Sequence, residues 1–402
     1  MSKASAWGIA PQSFTGTESY AYSYSSHSYS SHSYASHSYS GTSASPMLSV
    51  GISNARSDLI NGLAPAGGGV GGVVADPAAW TDDGPGDGLP AMSNPVALRC
   101  WAPAVRDDLA LFELMSRLVF RCNPVDYLAG AALFHVDVTP TGNASGVAVA
   151  YPIANLSRPS RAFFEGQLRL VDSWASSRET RGPEIMTQLD PPMGYFASIA
   201  NLHVERTPKT LRLIALAQHF AYLVGMQFKH ALACPRPVEY SAFIQPMVET
   251  PAHASLPAGH AVESFMAAGV IEALVPGFTP GSSPSVALRR LAHRIAQNRV
   301  IAGLHFPIDC VAGEVLGQAL AEYFVALCRN GGQTWTPWTF DGAKLGPADA
   351  SREHAADVPL QSQVGCARMP TPSAAAALNP ILGELWKGAW NEWPASGARR
   401  AI

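Results

Sequence analysis

The chain has 402 residues, 47% of them hydrophobic, and its 27 basic and 30 acidic side chains leave a formal charge of −3. That apolar content can supply a large core, while the near balance of charge excludes a bulk basic surface for nucleic acid and an acidic solvating tail. Six scattered cysteines (Cys100, Cys122, Cys234, Cys310, Cys328, Cys366) form no CxxC pair and no dense framework, a pattern of ordinary buried thiols.

The amino terminus lacks a charged start followed by an apolar run, so no secretory signal is visible and a cytoplasmic location is expected. Within Tyr20 to Ser40 a Ser-His-Ser-Tyr unit recurs at residues 26–29, 31–34 and 36–39. Its histidines could hold a metal weakly, but a segment without aliphatic residues cannot build a core, and a disordered tail is expected. The Gly- and Pro-rich stretch from Ala64 to Gly88 reads as linker, so residues 1–93 form one low-complexity region.

From Asn94 the pattern turns helical, and residues 94–330 read as the catalytic domain. Asp107 to Arg121 repeats Leu111, Phe112, Met115, Leu118 and Val119 along one side, which predicts an amphipathic helix. Leu133 to Val138 and Gly146 to Tyr151 are β-branched runs around Pro140-Thr141-Gly142-Asn143, the pattern of a short hairpin. Helices are predicted over Arg161 to Ser176, from Thr207-Pro208 to about Leu232 with Thr207 as N-cap, over Ala261 to Leu274 and over Leu288 to Leu304. The longest apolar stretches are interrupted, by Arg212, Gln218 and His219 in one and Glu314, Gln318 and Glu322 in the other, so buried helices are expected and membrane insertion is not. Beyond Arg329 lie five of the nine tryptophans, and Trp386, Trp390 and Trp393 share a helical face. The extension 331–402 is therefore expected to pack on the domain or on a second subunit.

Three short segments carry the chemistry. Lys229 falls in the last turns of one predicted helix, and Arg236 follows between Pro235 and Pro237. A guanidinium there can grip two oxyanion oxygens while Lys229 acts as a point charge. Pro257-Ala258-Gly259-His260 precedes the next helix, so free amides near Gly259 and His260 favour an anion, with His260 beside it as proton donor or acceptor. Arg299, His305 and Asp309 end the series. A helix resuming after Pro307 would let Asp309 accept a hydrogen bond from His305 and aim the other ring nitrogen into the pocket. Read alone, the first segment is a solvated helix end, the second a loop histidine on a polar surface and the third a basic, solvated helix face.

Taken together, Lys229-x6-Arg236-Pro237, Pro257-x-Gly259-His260 and Arg299-x5-His305-x3-Asp309 resemble the signature of type 2 phosphatidic acid phosphatases, bacterial class A acid phosphatases and vanadium-dependent haloperoxidases. The resemblance covers residues 229 to 309. It implies a mainly α fold, a helical bundle, in which Lys229, Arg236, Arg299 and the Ala258-Gly259 loop bind the anion. In that reading His260 is the acid/base and His305 the nucleophile or vanadium ligand. Where the family has serine this chain has Ala258, which removes a hydroxyl donor worth on the order of 1 kcal/mol. The family's serine before Arg299 is here Asn298.

Among the members, soluble bacterial vanadium haloperoxidases are the expected match, with vanadate as cofactor and peroxide and halide, bromide above all, as substrates. More than a hundred residues of folded sequence precede Lys229, and His253 resembles a histidine found near vanadate in bromoperoxidases. The alternative is an acid phosphatase needing no cofactor and acting on phosphate esters through a phosphohistidine. It is favoured by short gaps between segments, 19 residues from Val238 to Leu256 and 37 from Ala261 to Gln297. A third reading is phosphate or vanadate binding without turnover.

Overall fold

A computed structural model describes residue 98 and residues 101–393, except 123–129, 140–146, 190–191, 330–333, 355, 357, 371–372 and 375–378. The Ser-His-Ser-Tyr repeat and the Gly/Pro-rich stretch lie outside the described residues.

In chain order the helices of two turns or more are α1 (Pro103–Met115), α2 (Arg161–Trp174), α3 (Arg178–Thr187), α4 (Met193–Ala200), α5 (Pro208–Leu232), α6 (Gly259–Leu274), α7 (Ser283–Ile301), α8 (Pro307–Cys328) and α9 (Pro380–Trp390), with a single turn at Pro237–Tyr240 between α5 and α6. The strands are β1 (Leu118–Cys122), β2 (Ala131–Thr139), β3 (Val147–Ser157), β4 (Thr334–Trp335), β5 (Trp338–Asp341), β6 (Cys366–Arg368) and β7 (Ser373–Ala374). The fold is mainly helical, but it is not a pure bundle. A five-stranded sheet in the order β1-β2-β3-β5-β6 shares its core, with β3 and β5 parallel and the other pairs antiparallel; β4 and β7 form a separate pair.

The hairpin expected around Pro140 is present as β2 and β3, with Leu133 opposite Ala154 and His135 opposite Tyr151. The helix expected over Asp107 to Arg121 is corrected in two respects. It ends at Met115, and Leu118–Cys122 instead pairs with β2. Its inward face is Asp107, Ala110 and Leu114, whereas Phe112 is 72% exposed. The reason is electrostatic: Asp107 must face inward because both its carboxylate oxygens accept from Arg212 Nε on α5, at 2.7 and 2.8 Å. A buried carboxylate needs that partner, and its demand sets the helix rotation in place of the apolar stripe.

Helix α5 starts at Pro208 and ends at Leu232, where it was expected, but Thr207 does not cap it with its side chain. The carboxylate of Glu392 accepts from the amides of Lys209 (2.7 Å) and Thr210 (2.8 Å) and from Thr210 Oγ1 (2.8 Å). An anionic oxygen there satisfies donors that α5 leaves unpaired and complements its dipole. Glu113 of α1 does the same for α9, accepting from Leu382 N at 3.0 Å. Trp393 donates through Nε1 to Thr210 Oγ1 at 3.1 Å, so the segment around α9 is stitched to α1 and α5.

The site depends most on the contact between α6 and α8. A Cβ on Gly313 would come within 2.6 Å of Ala261 Cβ and 2.8 Å of Ala258 O, and one on Gly317 within 2.6 Å of Val262 O. No side chain fits there, so the two backbones approach closely and both helix N-termini lie at one level. Ala258 N donates to Asp309 O at 2.9 Å and fixes that level. Helix α8 has a mean hydropathy of 1.3 and is the one helix among the described residues long and apolar enough to cross a bilayer; 83% of that apolar window is buried within the fold. Five cysteines are described, all as free thiols and four of them buried.

Gly313→Val should cost about 1–3 kcal/mol or more through overpacking, read as a lowered urea midpoint with an unchanged slope. A midpoint equal to that of the parent chain would show that the α6–α8 approach is not tight.

Candidate oxyanion site

The three segments meet at the C-terminal end of α5 and the N-termini of α6 and α8. Lys229 is buried near the end of α5, and its Nζ donates to the carbonyls of Ala254 (3.0 Å) and Ser255 (2.8 Å) in the loop that leads to α6. Arg236, extended between two prolines, donates through Nε to His253 O (2.9 Å) and through Nη1 to Leu304 O (2.9 Å). Its Nη1 also lies 3.4 Å from His305 Nε2, and its Nη2 lies 3.2 Å from His253 Nδ1. Arg299 comes from the last turn of α7 and donates through Nη2 to Ile185 O (3.1 Å) and Gln188 Oε1 (3.2 Å). Its Nε and Nη1 are buried without a partner among the described residues. Those orphaned donors on a buried cation are the clearest local sign that the pocket is built around an anion.

Helix α8 resumes at Pro307, as the His305–Asp309 spacing requires. His305 Nδ1 lies 3.2 Å from Asp309 Oδ2, which also accepts from Phe306 N at 2.8 Å and from Ser255 Oγ at 2.5 Å. With the carboxylate on its Nδ1–H, His305 keeps a lone pair on Nε2, facing the Arg236 guanidinium. His260, at the second position of α6, contacts Gln188 O through Nε2 at 2.8 Å. A carbonyl only accepts, so Nε2 carries the hydrogen and Nδ1 is the basic nitrogen. Ala258 occupies the N-cap of α6, where its amide is already used by Asp309 O. The amides of Gly259 and His260 fall at helical positions with no carbonyl four residues back in the helix.

Electrostatics follow from packing three cations into a dry pocket. Burial first, and then the neighbouring Arg236, lowers Lys229 to about 7. Burial likewise takes Arg236 and Arg299 to about 10, so both guanidinium groups stay charged. Burial and then Arg299 depress His260 to about 3; burial and then Arg236 hold His305 well below the ordinary imidazole range. Both rings are therefore neutral near pH 7. Burial raises Asp309 to about 6 despite its Ser255 hydrogen bond.

Several residues the sequence reading passed over complete the site. Ser255 bridges the His305–Asp309 pair, lying 3.2 Å from His305 Nδ1. Gln188, after α3, receives His260 on its backbone and both Arg299 and Asn298 Nδ2 (2.9 Å) on its side chain. Glu263 lies one helical turn after Gly259: a methyl on Gly259 would sit 3.8 Å from Glu263 Oε1 and 3.9 Å from Lys229 Cε. Burial pushes Glu263 up to about 8, making it a neutral acid near pH 7. Only Glu263 left a usable signal, an acidic residue one turn after the Gly-His pair. A cleft of about 610 Å³ opens beside Cys234-Pro235, yet its lining includes none of Lys229, Arg236, His260, Arg299 or His305.

The residues present fit a tetrahedral oxyanion, with Lys229, Arg236 and Arg299, the N-terminus of α6 and a histidine nitrogen available to it. Residues 210–331 match the family model of the PAP2 superfamily, so this segment of the chain is similar to members of that superfamily. Members of that superfamily are generally phosphatase-type enzymes. No curated relative matches the chain.

A bound oxyanion raises the Lys229 pKa above its free value of about 7, so binding takes up a proton. Phosphate affinity measured by calorimetry should be strongest below about pH 7 and should weaken as pH rises through it, by up to about tenfold per unit. Lys229→Met should abolish that uptake; a proton release instead would contradict the assignment. Ala258→Ser should both cap α6 and donate to the anion, since a hydroxyl does both. The expected result is a higher unfolding temperature and a vanadate Kd lowered about fivefold, equivalent to about 1 kcal/mol; an unchanged Kd would show that the hydroxyl does not reach the anion.

Proposed function

We propose that this chain is a vanadate-dependent haloperoxidase that oxidises halide, bromide above all, with hydrogen peroxide. The observation that carries this reading over a phosphatase is His253. It is a third imidazole, on the exposed side of the pocket and in contact with the anion-binding guanidinium of Arg236, beyond the two that phosphoryl transfer uses. An exposed imidazole beside the Arg236 guanidinium is where a halide would approach.

Vanadate, when bound, would supply a Lewis-acid centre that activates peroxide toward halide. His305 Nε2 would hold it, oriented by Asp309 and Ser255. Arg236, Arg299 and Lys229 would grip the oxygens, with the Gly259 and His260 amides below them. His260 Nδ1 is the base for the incoming peroxide proton, because Nε2 is occupied by Gln188 O. Glu263, neutral near pH 7 and close to Lys229, would be an acid available to hold a proton at the site.

The second reading is phosphate monoester hydrolysis, favoured by the His305–Asp309–Ser255 cluster. His305 Nε2 would attack phosphorus as the ester P–O bond breaks, and the leaving alkoxide would take a proton. Water would then cleave the phosphohistidine to inorganic phosphate. The same cations would stabilise either reaction.

Bromination of monochlorodimedone with vanadate and peroxide, run beside p-nitrophenyl phosphate hydrolysis, separates the readings. We expect bromide-dependent halogenation that falls at least about a hundredfold in His305→Ala. Phosphate ester hydrolysis alone would establish the phosphatase. Silence in both assays with vanadate still bound would mean an oxyanion-binding protein without turnover.

A further inference from the structure

Away from the oxyanion pocket, a second polar cluster lies inside the core. His293 on α7, Glu314 on α8 and His354, in the chain beyond β5, are each buried, and their ligand-capable atoms lie within 4.8 Å of one another. His354 Nε2 is 2.7 Å from Glu314 Oε2, and His293 Nε2 is 3.5 Å from the same oxygen. The two imidazole centroids are 4.2 Å apart, and Phe265 packs edge-on against both. The other carboxylate oxygen of Glu314 accepts from Gln318 Nε2 at 2.9 Å.

We propose that His293, Glu314 and His354 bind a divalent transition-metal ion of the zinc type, as a structural site separate from the oxyanion pocket. Two imidazoles and a carboxylate are ligands such an ion accepts. Zn–N and Zn–O bonds of about 2.0–2.1 Å in a tetrahedron put ligand atoms about 3.3 Å apart. The 3.5 Å pair already has that separation, and the 2.7 Å pair needs to open by only about 0.6 Å. The fourth position falls to water or to the carboxamide oxygen of Gln363, whose side chain lies beside Glu314, with Nε2 3.5 Å from Oε2.

The network is incomplete as a hydrogen-bonded unit, since His354 Nδ1 is buried without a partner among the described residues. Gln318 supplies the outer contact that orients a ligating carboxylate.

Position gives the site a purpose. His293 precedes Arg299 by six residues on α7, and Glu314 follows Asp309 by five on α8, so the ion would sit about 8–9 Å along each helix from the oxyanion pocket. It would tie the chain beyond β5 to the two helices that carry Arg299 and Asp309.

The test uses the full chain with His27, His32 and His37 changed to serine, which removes the imidazoles of the amino-terminal repeat as competing ligands. Stripped of metal and dialysed against Zn²⁺, this protein should retain one ion per chain by elemental analysis. Co²⁺ should give the visible d–d absorption of a four-coordinate site, and Zn²⁺ should raise the unfolding temperature. His354→Gln should weaken uptake at least about tenfold. Substoichiometric Zn²⁺ with no Co²⁺ absorption would overturn the proposal, as would equal uptake by a folded His354→Gln. Should that variant not fold, the Co²⁺ spectrum of the otherwise unaltered chain decides alone.

Discussion

The approach of α6 to α8 is the constraint on which the rest depends. Gly313 and Gly317 leave no side chain between the helices, so the backbone before His260 can meet the backbone of Asp309 directly. The start of α6, with the Gly259 and His260 amides, is thereby held beside the turn that carries His305 and Asp309 into α8. A β-branched residue at either glycine would separate the termini and misalign His260 with His305. Ordinary core packing thus fixes the relative placement of the two histidines.

Beside that junction the chain places three cations with little carboxylate to balance them. Asp309 spends its charge on His305, Ser255 and a backbone amide, and Glu263 is raised by burial to about 8. Burial first and then Arg236 keep Lys229 low, and Arg299 keeps two buried donors without a partner among the described residues. An incoming oxyanion relieves both at once, so preorganisation here is stored as electrostatic tension.

Around this centre, satisfaction of buried polar groups sets the architecture more than apolar pattern does. Asp107 turns α1 so that its most apolar residue, Phe112, faces outward. Glu392 and Glu113 cap helices far from them in sequence. His135 on β2 reaches Tyr323 on α8 at 2.9 Å and Asp137 at 2.8 Å, joining the sheet to the central helix. Apart from His135 and Asp137, which share one face of β2, these pairings have no local signature, because each partner lies one hundred or more residues away. The same is true of Gln188, an unremarked residue after α3 that receives both His260 and Arg299.

What the sequence by itself determined are the features that depend on neighbours along the chain. The span of α5, the Pro235-Arg236-Pro237 exit and the His305–Asp309 spacing were legible because proline geometry and helical period act over a few residues. Only the tertiary structure decided which imidazole nitrogen faces the pocket, that Ser255 and Gln188 orient the catalytic candidates, and that β1 leaves its helix to join a sheet. Those outcomes turn on burial, where an unpaired donor or charge must find a partner wherever the fold brings one within reach.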